Sequence, residues 1–330
     1  MMRRFLVAFL VVSGFLAWPV VCPAPLVYRP GEGWTYESPG AAKWTRGRAK
    51  DQLEVATKAL ADKKYSLAAK AARRTVKKWP LSDYAPQAQY IVGLCYEAKR
   101  VDDKAFREYQ KLIEKYPKVE NYNNVLYRQY EIANRYLGGQ WFKLWGYIPF
   151  FPSMEKTGDM YAKVIRNGPF SDVAPHSQLK IGTTREKQSD YMMAVKAYEK
   201  AADVYHDKKS FAAEARYRAG SAYFKQAKTA EYDQNSASLA IATFSDFVVL
   251  HPNDPRTSQT QKIIAQLRTE MARGAFQVAL FYEKKMKWDG ALVYYNEVLI
   301  KDPESTYAAD ARKRIEVLKK RKAEMDQPAK

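Results

Sequence analysis

The chain has 330 residues, 47% hydrophobic and 28% charged, with a formal net charge of +19. That is a soluble balance with enough apolar material for a large core. With only two cysteines a disulfide framework is excluded, and none of the usual nucleic-acid motifs accompanies the basic charge.

Taken in chain order, residues 1–22 read as an export signal. Arg3 and Arg4 precede the apolar run from Phe5 to Val21, and no later stretch is apolar enough for a membrane span. Cys22 is a candidate lipidation site. Pro19, Val20 and Val21 before it are poor residues for that role, and cleavage after Ala17 or Ala24 stays open. Residues 23–47 are rich in Pro and Gly and read as an extended linker.

From residue 48 to 323 nearly everything reads as amphipathic helix, and the organising feature is repetition. KYSLAAKAARRTVKKWP (64–80) and DDKAFREYQKLIEKYP (102–117) align with Ala68 on Ala105 and Pro80 on Pro117. The unit returns with Ala194 and Tyr198, with Ala240, Phe244 and Pro252, and with Ala291, Tyr295 and Pro303. A degenerate copy keeps Tyr161 and Pro169. Each such helix follows another carrying its own small residue: Ala56, Gly93, Ala133, Gly182, Gly220 or Ala279. Small residues on facing helices let the backbones approach, and Pro ends the second helix. One pair cannot bury its apolar face alone, so pairs stack. The expected fold is all-α, a tetratricopeptide-repeat right-handed superhelical solenoid of about six helix pairs. TYAADARKRIEVLKKRKAEM (306–325) reads as its C-terminal capping helix, and 324–330 as a disordered tail.

Two units depart from regular spacing. The fifth has a polar segment, TAEYDQNSAS (229–238), which reads as a loop. The third carries GGQWFKLWGYIPFFPS (138–153). Its Trp141, Phe142, Trp145, Phe150 and Phe151 make either a cover folded over a groove or an exposed hook for a partner or lipid interface.

No catalytic, cofactor-binding or metal-ligating constellation is present, so the expected work is binding without chemistry. Three residues before each small residue come Leu53, Tyr90, Tyr130, Leu179, Tyr217 and Phe276. These six form a candidate column down a peptide-binding groove, or else intramolecular packing. Gln87 and Tyr127, one turn earlier, and Asn134, one residue after the small position, are candidate peptide contacts. Cys95, in YIVGLCYEA, reads as a packed thiol.

Three stretches resemble the BamD family of outer-membrane β-barrel assembly lipoproteins. They are residues 63–117, the insertion inside the third repeat, and AFQVALFYEKKMKWDGALVYYNEVLIKDPES (275–305). The resemblance implies a protein exported to the periplasmic face of the outer membrane, lipid-anchored or peripheral. It implies C-terminal repeats that dock on the barrel-insertion subunit and N-terminal repeats that receive unfolded outer-membrane proteins, with no nucleic acid among the partners. The rival expectation is a general periplasmic scaffold for cell-envelope or polysaccharide machinery.

Overall fold

A computed structural model of the chain describes Leu26–Arg29, Gly33–Tyr36 and residues 44–144, 148–229 and 233–325. The export signal with Cys22, and the tail beyond residue 325, lie outside the described residues. The chain divides into two compact units, Met1–Tyr116 and Pro117–Lys330.

The first unit holds helix pairs α1 (Ala49–Ala61)/α2 (Tyr65–Lys78) and α3 (Ala85–Ala98)/α4 (Asp102–Lys115). The second holds α5 (Tyr122–Leu137)/α6 (Met154–Asn167), α7 (Val173–Lys187)/α8 (Tyr191–Val204), α9 (Lys209–Thr229)/α10 (Gln234–Leu250), α11 (Thr257–Lys284)/α12 (Trp288–Lys301) and the single helix α13 (Thr306–Met325). The expected six pairs and final helix are therefore present. Ala308, Ala311, Ile315 and Leu318 of α13 close the core made by α11 and α12.

Five of the six pairs share one plan; in the first, Ala72 stands where the others place an aromatic. The aromatic of the second helix lies across the small residue of the first helix of its own pair. A Cβ on Gly93 would meet the Tyr109 ring at 2.3 Å, and one on Gly182 would meet the Tyr198 ring at 2.3 Å. Tyr109, Tyr161, Tyr198, Phe244 and Tyr295 are all fully buried there.

Two polar devices, unseen in the sequence, repeat with this packing. Four residues before the small position, Gln52, Gln89 and Gln178 donate from Nε2 to the carbonyls of Ala71, Glu108 and Ala197 at 3.5, 3.2 and 3.1 Å, tying the helices of each pair together. Four residues after it, a glutamate accepts the buried tyrosine hydroxyl: Tyr109 to Glu97 at 2.8 Å, Tyr198 to Glu186 at 2.8 Å and Tyr295 to Glu283 at 2.5 Å. A cation from the following first helix completes the arrangement, Lys225 on Glu186 and Arg314 on Glu283. Burial raises the Tyr198 and Tyr295 phenols well above the ordinary value, and the neighbouring carboxylates add to this.

The turn inside a pair is equally regular. Seven residues after the small position, Lys63, Arg100, Ser189 and Met286 adopt left-handed backbone, with φ of 59°, 56°, 60° and 54°. The next residue's amide then reaches back five residues, as in Lys64 to Ala59 and Val101 to Tyr96, which satisfies a helix-end carbonyl.

Three expectations are revised. The linker contains a hairpin, β1 (Leu26–Arg29) paired antiparallel with β2 (Gly33–Tyr36). Its LVY and WTY runs are β-formers flanking a Pro-Gly turn sequence. The insertion is also a hairpin, β3 (Phe142–Leu144) with β4 (Ile148–Phe151). The polar segment of the fifth unit is helical at Thr229 and from Gln234 onward. Its longer spacing is absorbed by α9 at 21 residues and α10 at 17, against 14 for α3 and for α4. Asp233 caps α10, accepting from the Asn235 amide at 3.0 Å and from Ser236 Oγ at 2.6 Å.

Candidate functional site

The column three residues before the small positions is largely internal. Leu53, Leu179 and Phe276 are buried. Tyr90 and Tyr130 are half-buried, and each leans on the aromatic of its own pair, Tyr90 on Tyr109 and Tyr130 on Tyr161, both at 5.9 Å between ring centroids. Tyr217 sits against Phe244 and Phe247, and the Arg256 guanidinium covers it 4.7 Å from the ring centroid. Phe276 packs on Tyr295 and Tyr307. Asn134 accepts the Tyr161 hydroxyl at 2.6 Å and donates to Glu131 at 3.2 Å, so its amide already serves the fold.

One turn earlier the picture changes. Gln87 and Tyr127 are exposed, Tyr127 to 53%. The same register in the other pairs gives Lys50 and His176, both exposed, and Glu214 and Arg273, both half-buried. Sequence reasoning placed Gln87 and Tyr127 in this row without extending it. The signal was available, because the row lies at a constant six residues before each small position. On a helix that offset points about 120° away from the packed small residue, whereas the three-residue offset points only about 60° away.

In the second unit this row opens on two cavities that share Asp172. The larger, about 590 Å³, is lined by His176, Leu179, Lys180, Lys208, Phe211 and Glu214 among others. His176 meets Phe211 edge-on at 5.8 Å. Burial alone would raise the Glu214 carboxyl, but hydrogen bonds from Arg218 at 2.5 Å and from Arg256 outweigh it and hold it below its usual value. Arg256 also holds Asp254 down, at about 2. Lys180 and Lys208 carry no carboxylate partner among the described residues, so the cavity offers an apolar floor with free positive charge. The smaller cavity, about 420 Å³, is lined by Tyr122, Leu126, Tyr127 and the fully exposed Phe170.

The insertion divides into anchor and tip. Phe142, expected in an exposed hook, is buried and stacked on Tyr136 at 4.0 Å with Lys156 above it. Trp141 is 51% exposed. Phe150 and Phe151 fall in β4, but their side chains, like all of Trp145, lie outside what the structure describes. Cys95 is buried in the first unit's core, and burial pushes its thiol to about 11.

Two family models match parts of the chain. A tetratricopeptide-repeat model matches residues 87–118, the span of α3 and α4. The fold is a solenoid of tetratricopeptide-type helix pairs. A second model, YfiO, described as an outer membrane lipoprotein, matches residues 161–302, less than half of the chain. That span contains most of the last BamD-like stretch but neither residues 63–117 nor the insertion. Among solved structures, the C-terminal part of a repeat protein from Cytophaga hutchinsonii is 15% identical, covers 80% of this chain and 87% of its own, and has a TM-score of 0.38. YrrB, titled as a tetratricopeptide-repeat protein with an unusual peptide-binding site, is 14% identical, covers 74% of this chain and 100% of its own, and scores 0.34. TTC0263 from Thermus thermophilus is 15% identical, covers 67% and 98%, and scores 0.30. No curated protein matches the chain.

Proposed function

We propose that this protein is a BamD-like assembly factor of the outer membrane, a binding scaffold without catalysis or cofactor. On this reading it receives unfolded β-barrel proteins and docks on the barrel-insertion subunit from the periplasmic face. The observation that carries the reading is the outer membrane lipoprotein model running from Tyr161 in α6 to Asp302 at the end of α12. The open row supports it. Tyr127, Phe170 and Phe211 present ring faces and edges, and Lys180 and Lys208 present unpaired ammonium groups, along adjoining cavities of the second unit. Extended, aromatic-rich segments of unfolded barrels suit such a surface, because aromatics bury much area for few frozen rotamers. No helix of the described residues is long and apolar enough to cross a membrane, and attachment through an acylated Cys22 or through partners is part of this proposal.

One observation favours the rival reading, a general periplasmic scaffold. The first unit lies outside the outer membrane lipoprotein match and is reached only by the general repeat model. Affinity capture of the tagged protein from gently solubilised envelopes, with mass spectrometry of partners and of its own N-terminus, separates the two. A barrel-insertion subunit among the partners supports the assembly role; cell-wall enzymes in its place would overturn it.

A further inference from the structure

Helix α2, YSLAAKAARRTVKK, contains five cations and no acidic residue. Its exposed positions Ser66, Lys70, Arg73 and Lys77 follow i, i+4, i+7 and i+11, which is a single stripe along the helix. The stripe widens onto the neighbouring pair. Lys99 Nζ donates to Ser66 Oγ at 2.6 Å. Arg73 donates to the Tyr96 hydroxyl with its guanidinium 5.2 Å from that ring, and the Lys104 ammonium lies 5.9 Å from the same ring. Five cations thus share one strip of the first unit, and none has a carboxylate partner among the described residues. In α4, by contrast, Arg107 pairs with Asp103 at 2.8 Å and Lys111 with Glu108 at 2.9 Å. Like charges one turn apart repel, so an unrelieved stripe works against the helix until a negative surface covers it.

Two further features say which surface. Trp44 lies beneath the Lys70 ammonium, 4.7 Å from centroid to nitrogen, and Tyr96 lies between Arg73 and Lys104. Aromatics flanked by basic side chains are what a headgroup layer accommodates. Trp44 is held against the helices by Gln52 Nε2, which donates to its carbonyl at 3.1 Å. We propose that the α2 strip is the face by which the first unit lies against an anionic lipid surface. This adds a contact to the scaffold and does not depend on which protein partners the scaffold binds.

The test is sedimentation of the full-length chain with phosphatidylcholine vesicles and with vesicles containing about a third phosphatidylglycerol, a composition typical of anionic-membrane assays. An N-terminal apolar segment binds both vesicle types, so the readout is the increment due to anionic lipid. Each basic side chain near such a surface contributes about fivefold, so Lys70→Gln/Arg73→Gln/Lys77→Gln should lower that increment on the order of a hundredfold. The increment should also fall with added salt. A variant of equal charge loss elsewhere, Lys111→Gln/Lys313→Gln/Lys319→Gln, should change it only a few-fold. Should the triple variant lose helicity, Lys77→Glu alone, which removes no hydrogen bond shown by the structure, should still lower the increment more than Lys319→Glu. No preference for anionic vesicles, or equal losses in strip and control variants, would overturn the proposal. So would strip-dependent retention on duplex DNA without vesicle preference, which would assign the strip to nucleic acid.

Discussion

Replacing Tyr198 with phenylalanine removes a single oxygen from the buried centre of the fourth pair. That oxygen donates to Glu186 Oε1 at 2.8 Å and lies 3.4 Å from Thr183 Oγ1, while Lys225 holds the other carboxylate oxygen at 2.5 Å. A hydrogen bond to a charged group contributes about 1.5–3 kcal/mol. The Glu186 side chain keeps 16% exposure and its lysine, so water recovers part of the loss and about 1–2 kcal/mol is expected. Glu186→Gln keeps an acceptor but removes the charge, and should cost about 0.5–1.5 kcal/mol. Because the two groups touch, the double variant should fall short of additivity by about 1 kcal/mol. Urea unfolding followed by circular dichroism, with unchanged slope, measures all four corners of the cycle. The fifth pair supplies an internal comparison, since Phe244 and Phe224 there replace tyrosine and glutamate together. A Tyr198→Phe chain within about 0.3 kcal/mol of the parent and no coupling would refute the idea that the Tyr–Glu bond holds the pairs.

Other expectations follow from the same architecture. Tyr161, Tyr198 and Tyr295 are raised chiefly by burial, so the native state holds their protons more tightly than the unfolded chain does. Their contribution is fully present below the unfolded value near 10 and is lost as pH rises above it, at about 1.4 kcal/mol per pH unit for each phenol. Alkaline unfolding should accordingly bring a further rise in tyrosinate absorbance; a tyrosinate signal already complete before helicity is lost would contradict the burial. Met286→Gly, at an exposed left-handed position, should stabilise by about 0.5–1 kcal/mol in thermal unfolding, since it removes a Cβ from backbone that disfavours one. Tyr90→Ala with Tyr130→Ala should lower stability by several kcal/mol through lost ring contacts, whereas Tyr127→Ala with His176→Ala should leave melting unchanged and weaken binding of a barrel-derived peptide. Cys95 should stay unreactive to a thiol reagent until the first unit unfolds.

The helix pairs could be read in advance because close backbone approach demands small residues and sharp turns demand proline, and both leave fixed spacings. The direction of the buried aromatics could not be read, because an Ala-to-Tyr spacing places the ring on a face without saying which neighbour fills it. The candidate groove shows the same limit. Rows three and six residues before the small position differ by one turn, and only the packing of Tyr90 on Tyr109 and of Arg256 on Tyr217 shows that the first row is turned inward. The buried glutamines and the Tyr–Glu pairs went unseen because polar residues on an amphipathic helix look solvent-facing until their partners, on another helix, are in view. The helical extension through Thr229 was hidden by a composition that suits a loop and a helix equally well.

The insertion of the third repeat has a use of its own. With Phe142 stacked on Tyr136, the base of the β3–β4 strand pair is fixed to α5. Sequence placed between the two strands would be joined to the scaffold through that base without altering the repeat core. This makes the position a natural port for grafting an epitope or a crosslinker, and the place where a lineage could change what the scaffold touches while leaving the helices alone.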